Sequence, residues 1–140
     1  MSEPPESTDA PARILIVDDG CDNRELLQVI LGWEGFVVRT AASGEEALVD
    51  LAAEPADLVL LDVMMPGLDG YEVLARIRSN PATKDIRVVM LSALTDSAAR
   101  ARALNAGADG VLPKPVDRIE LVARVKGLLA RAPVLPRAAS

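Results

Sequence analysis

Short aliphatic runs alternate with helical spacing five times along this chain. RILIV (Arg13–Val17) reads as a strand that closes on Asp18 and Asp19. Over residues 22–33, Leu26, Leu27, Ile30 and Leu31 fall at i, i+1, i+4 and i+5, one face of a helix that Gly35 is placed to close. FVVRTA is a shorter strand with a polar end, suited to a sheet edge. Ser43 and Glu46 have the spacing of a capping box and open a second helix with Leu48 and Leu51 inside. ADLVLLD is the third strand, a run of apolar residues that ends on a carboxylate, Asp62. Asp69 and Glu72 repeat the capping pattern for a helix carrying Val73, Leu74 and Ile77, and Pro81 ends it by holding Asn80 away from helical angles. IRVVMLS is the fourth strand. Thr95 or Asp96 caps an Ala-rich helix that stops near Gly107, and GVLP is a brief fifth strand. Asp117 and Glu120 cap a last helix bearing Leu121, Val122, Val125, Leu128 and Leu129.

Strands joined through helices run parallel. Near-continuous aliphatic strands are what a parallel sheet covered on both faces requires. Right-handed crossovers leave few arrangements. Five such units favour an α/β, flavodoxin-like (βα)5 three-layer sandwich with a parallel five-stranded sheet of order 2-1-3-4-5. That order sets the first and third strands side by side at the switch point, and ligands of such sheets bind there, beyond the carboxyl ends of the strands.

Composition narrows the chemistry. The 140 residues suit one domain, and half of them are apolar, but with one Trp, one Tyr and one Phe the core must be aliphatic. A formal net charge of −6 argues against general nucleic-acid or anionic-membrane binding. The single cysteine, Cys21, excludes an internal disulfide and fits a reducing cytoplasm. No apolar run approaches the ~18 residues of a membrane span, and the N-terminus lacks the pattern of a secretory signal. Residues 1–11 read as an acidic, Pro-rich disordered tail, 12–131 as the folded domain, and 132–140 as a second tail or the start of a linker. There is no histidine. That removes histidine nucleophiles, bases and metal ligands, and any phosphohistidine carried by the chain itself.

The residues at the strand ends carry the functional signal. The first strand delivers Asp18 and Asp19, the third Asp62, the fourth Ser92 and the fifth Lys114. Singly, each has an ordinary reading: a turn or helix cap for the aspartates and Ser92, a solvated charge for Lys114. Together they bring three carboxylates, a hydroxyl and an amine to one crevice. Three clustered carboxylates repel unless some protonate or a cation neutralises them. A hard divalent ion, Mg2+ or Mn2+, suits such a site, since Mg2+ takes one or two carboxylates and shares a phosphate oxygen. With Lys114 and Ser92 alongside, this is the equipment of phosphoryl transfer, and Asp62 becomes the candidate nucleophile. The Pro66-Gly67 turn after it is expected to leave it open to solvent. Cys21 is read as structural, Trp33 as packing at the end of the first helix, and Met64, Met65 and Met90 as packing residues. Arg118, Arg124 and Lys126 read as a solvated face.

The motifs ILIVDD, LVLLDVMMPGLDG, VVMLSA and GADGVLPKP, in this order and spacing, resemble the receiver domain of two-component response regulators, of the chemotaxis-regulator type. The resemblance implies that Asp62 is the phosphoacceptor. It implies that Asp19, Asp62 and the backbone carbonyl of Met64 bind Mg2+ directly, with Asp18 acting through water. Ser92 then hydrogen-bonds the phosphoryl group, Lys114 pairs with it, and the Lys114–Pro115 peptide bond is cis. Val111 stands where the family usually has Tyr or Phe, so output is expected through the fourth helix and residues 94–97 without a rotating ring. Met64 and Leu94 border the path of the hydrolytic water in this family, which implies slow autodephosphorylation.

The resulting expectation is a phosphorylation switch, not an enzyme with a separate substrate. A sensor histidine kinase or histidine phosphotransfer protein would supply the phosphoryl group. A downstream protein would read the face of the fourth helix, fifth strand and fifth helix, with a homodimer on phosphorylation as a further option. Direct nucleic-acid and membrane contact are not expected. A phosphatase with an Asp nucleophile needs a second acid two residues on, where Met64 stands. An FMN protein needs a Ser/Thr/Gly-rich loop where DDGCDN stands. A receiver-fold interaction module that works without phosphorylation stays open, and so does whether the chain stands alone or was cut from a longer one.

Overall fold

The computed structural model describes residues 11–93 and 96–130. The expected tails therefore lie outside the described residues apart from Pro11, as do Leu94, Thr95 and Arg131. Five strands alternate with five helices: β1 (Arg13–Val17), α1 (Cys21–Trp33), β2 (Val37–Ala41), α2 (Gly44–Ala53), β3 (Leu58–Asp62), α3 (Gly70–Ser79), β4 (Arg87–Ser92), α4 (Ser97–Asn105), β5 (Gly110–Pro113) and α5 (Arg118–Ala130). The sheet is parallel throughout, in the order β2-β1-β3-β4-β5. The architecture is the three-layer sandwich the hydrophobic pattern implies, with the polar-ended β2 on an edge.

Strands β1, β3, β4 and β5 are buried on both faces because successive side chains serve different layers. Ile14, Ile16, Leu58, Leu60, Val89, Leu91 and Leu112 pack with α1 and α5, while Leu15, Val17, Val59, Leu61, Val88, Met90 and Val111 pack with α2 and α3. α4 is the lightly seated helix: Ala103 is its buried residue among those described.

The helix starts follow the capping chemistry in the sequence. The Ser43 hydroxyl accepts from the Glu46 N–H, Asp69 and Glu72 close a full capping box, and Asp96 and Asp117 accept from the N–H groups of Ala99 and Glu120. Around Ser43 the reciprocal bond shifts by one residue, with Glu46 accepting from the Ala42 N–H at 2.6 Å. Gly35 and Gly107 follow α1 and α4 with φ of 93° and 110°, the left-handed turn that ends a helix cheaply only with glycine.

Several side-chain expectations fail. Trp33 is 79% exposed and Leu26 55% exposed, so neither packs inward. Leu27, Ile30 and Leu31 form the buried stripe of α1. Cys21, read as structural, is exposed. Met65 and Met90 are buried, but Met64 is 73% exposed beside Asp62. Of the basic residues on α5, Lys126 is exposed yet pairs with Glu34 at 2.7 Å, tying α5 to the end of α1. No described helix is long and apolar enough to cross a membrane.

Candidate functional site

Register brings the acidic residues together. β1 and β3 are hydrogen-bonded neighbours, with Val17 opposite Leu61. One residue further, Asp18 and Asp62 lie on the same row and share the parity of Ile14, Ile16, Leu58 and Leu60. On the other side of β3, Asp62 pairs with Leu91, and Ser92 follows it. Ser92 pairs in turn with Pro113, whose successor is Lys114, and the Lys114 N–H donates to the Ser92 carbonyl oxygen at 3.0 Å. The Lys114–Pro115 bond is cis, as the family resemblance implies.

Carboxylate oxygens of Asp18, Asp19 and Asp62 lie within 4.8 Å of one another. Lys114 Nζ stands 3.3 Å from Asp62 Oδ2 and 3.7 Å from Asp18 Oδ2. Asp18 and Asp62 are 2% and 3% exposed, Ser92 is buried, and Asp19 faces solvent. Asp62 is therefore not left open by the turn after it, contrary to expectation. Lys114 reaches over it from β5, and α3 packs behind it. A Cβ on Gly70 would stand 2.5 Å from the Asp62 carbonyl oxygen and 2.8 Å from Val63 Cα, so only glycine lets the start of α3 come this close. Gly67, with φ of 75°, makes the turn between them.

Burial raises the Asp62 carboxyl above the usual range, and the neighbouring Asp18 charge raises it further. Lys114 opposes this, as does the Met64 N–H, which donates to Asp62 Oδ1 at 3.3 Å. The cluster is thus short of positive charge: one lysine faces three acids. Hard oxygen donors with a buried, under-compensated negative charge fit a divalent cation of the Mg2+ type.

Sequence reasoning missed the residues that hold Asp18. The Gly20 N–H donates to its Oδ1 at 2.7 Å, Asn23 Nδ2 to its Oδ2 at 2.5 Å, and the Arg24 guanidinium to its carbonyl oxygen at 2.8 Å. The available signal was their place in the first turn of a helix that starts directly after an acid pair. A second group, Cys21, Asp22 and Glu25, also brings ligand atoms within 4.8 Å, but all three are exposed.

Comparison with known proteins places this geometry. The family model "Response regulator receiver domain" matches residues 14–126. The response regulator PleD of Caulobacter vibrioides is 44% identical over 117 residues, which are 84% of this chain and 26% of PleD. A crystal structure assigned to a response regulator of Chloroflexus aurantiacus superposes with a TM-score of 0.82 at 44% identity, covering 86% of this chain and 99% of that one. The chemotaxis protein CheY4 of Vibrio cholerae gives a TM-score of 0.80 at 30% identity, covering 84% and 98%. The chain spans only about a quarter of PleD, and 52% of the response regulator MprA of Mycolicibacterium vanbaalenii.

Proposed function

The chain belongs to the response regulator receiver domain family, and on that premise we propose that Asp62 accepts a phosphoryl group from a partner's phosphohistidine. The observation that carries this reading is the convergence of a buried carboxylate, two further acids and a lysine 3.3 Å away, all from the carboxyl ends of strands. A carboxylate oxygen of Asp62 attacks phosphorus. The P–O bond forms as the P–N bond breaks, and the imidazole leaves with the electron pair and is reprotonated. The chain has no histidine, so the phosphohistidine lies outside it, on a sensor histidine kinase or a histidine phosphotransfer domain.

Lys114 stands where it would pair with the phosphoryl oxygens, and Ser92 stands at the end of the neighbouring strand to donate its hydroxyl. Asp19, Asp62 and the Met64 carbonyl would hold Mg2+ or Mn2+, with Asp18 held beside them. The cation, when bound, supplies positive charge against the carboxylates and the incoming phosphoryl oxygens. The chain acts on its own Asp62 and on no separate substrate.

Phosphorylation adds charge at the sheet edge and shifts the population toward a state that a downstream protein reads. Val111, 3% exposed, leaves no aromatic ring on β5 to carry that shift. The lightly seated α4 takes its place. Its Arg102 lies 3.9 Å over the centroid of the Tyr71 ring, on the first turn of α3. The output surface is then α4, β5 and α5.

Intact-mass analysis after incubation with acetyl phosphate, with and without Mg2+, tests the proposal on wild type and Asp62→Ala. The expected result is a labile, Mg2+-dependent single adduct that the variant lacks. An adduct that survives Asp62→Ala would refute Asp62 as acceptor. Failure with both acetyl phosphate and histidine kinases would favour an unphosphorylated interaction module.

A further inference from the structure

We propose that Asn23 is a positioning residue for the metal site: its amide holds Asp18 against Asp62 and so presets the acidic cluster for a divalent cation. The inference rests on the metal reading above. Three residues at the start of α1 fix Asp18. Gly20 and Asn23 take one carboxylate oxygen each, at 2.7 and 2.5 Å, and Arg24 takes the carbonyl oxygen at 2.8 Å. Backbone and side chain of Asp18 are both immobilised.

Asn23 makes this contact in place of serving its own helix. It occupies the third helical position after the N-cap Gly20, which has no side chain with which to cap. A Glu or Gln there turns back to accept from the N-cap N–H, as Glu72 does for Asp69 in α3. Asn23 instead donates past the cap to a buried carboxylate. A donor, not an acceptor, is what Asp18 requires.

The contact fixes a repulsion. Asp18 and Asp62 are almost fully buried and like-charged, and Lys114 is shared between them at 3.7 and 3.3 Å. An untethered Asp18 would rotate away from Asp62 and relax, and the site would have to be reassembled at each binding event. Held by Asn23, the like charges stay together in the metal-free fold, and a divalent cation recovers that repulsion on binding. Residues that orient metal ligands in this way commonly change affinity by about 10–100-fold.

The test is calorimetric titration of the full chain with Mg2+ for wild type, Asn23→Leu, which keeps the size and loses the donor, and Asn23→Gln, which keeps the amide on a longer arm. Thermal unfolding in EDTA is measured alongside. The expected outcome is Mg2+ binding about 10-fold weaker in Asn23→Leu, partial recovery in Asn23→Gln, and a metal-free midpoint in Asn23→Leu no lower than in wild type. Wild-type affinity in Asn23→Leu overturns the inference and leaves the metal site standing. So does weakened affinity matched by a lowered metal-free midpoint, which marks a merely structural residue. A wild type that does not bind Mg2+ overturns the metal reading itself and this inference with it.

Discussion

Replacing Asp62 by asparagine should make the metal-free protein more stable at neutral pH. The side chain keeps its shape, and its carbonyl can still accept from the Met64 N–H, as Asp62 Oδ1 does at 3.3 Å. What is lost is a buried charge. Asp18 lies within 4.8 Å, a repulsion of about 3.5 kcal/mol at an effective dielectric of about 20. Lys114 at 3.3 Å contributes an attraction of about 5 kcal/mol at the same dielectric, lessened because its side chain is 30% exposed. The two nearly cancel, and the exposed Asp19 adds only a screened push. The burial of a carboxylate at 3% exposure remains, and relieving it should be worth about 2 kcal/mol. For a domain of this size that is a rise in Tm of about 5–10 °C. The sign of the pH dependence follows from the raised Asp62 carboxyl. The folded chain holds this proton more tightly than the unfolded one, so wild-type stability falls as pH rises through the raised value. The advantage of Asp62→Asn therefore opens over that window and closes below the unfolded Asp value, about 3.9. Thermal unfolding in EDTA from pH 3 to 8 reads it. A variant no more stable than wild type at pH 7, or one whose advantage persists at acid pH, would refute the account of an under-compensated buried charge.

Other substitutions probe the supports of the site. Gly70→Ala should cost about 3 kcal/mol and slow adduct formation, because the new methyl meets backbone atoms of Asp62 and Val63 that cannot yield; an unchanged denaturant midpoint would count against that close approach. Arg78 donates to the carbonyl oxygens of Gly107, Lys84 and Ile86 and pairs with Asp109 at 3.0 Å. Arg78→Ala should lower stability by about 3 kcal/mol in urea titrations, and a loss below about 1 kcal/mol would show those acceptors to be well hydrated. Met64→Asn should shorten the lifetime of the phosphoryl adduct at least about threefold, a barrier change of about 0.7 kcal/mol. An equal or longer lifetime would remove the exposed methionine as a guard against water. Arg102→Ala should cost about 0.5–1 kcal/mol and speed amide exchange across α4; exchange unchanged there would mean that the Tyr71 contact does not seat the helix.

The strand ends were legible in the sequence because a strand has a strict period. Once RILIV and LVLLD are read as neighbours, parity alone carries Asp18 and Asp62 to one row, and no packing detail is needed. Helix α1 had no such constraint. Periodicity picked the face of Leu26, Leu27, Ile30 and Leu31, but further apolar residues at 29 and 33 carry the pattern almost around the helix, so it could not fix the edges of that face. The sheet chose Leu27, Ile30 and Leu31, and left Leu26, Val29 and Trp33 to solvent. Met64 lies in a loop, where there is no period to read at all. Asn23 and Arg24 drew no attention in the sequence, since nothing local reveals that a buried carboxylate lies within reach. The depth of Asp62 was hidden for the same reason: its cover comes from Lys114 and Gly70, on other elements. Val111 is the instructive case. The sequence shows that β5 lacks a ring, and this alone would suggest a switch without a relay. The fold puts the chain's only tyrosine one residue after Gly70, the glycine pressed against the Asp62 carbonyl, and under an arginine of α4. Any displacement of the backbone at Asp62 meets Gly70 directly, and the next side chain along touches α4, whose fully buried residue among those described is Ala103. A local change at the acid thus has a contiguous physical path to α4 that does not pass through β5.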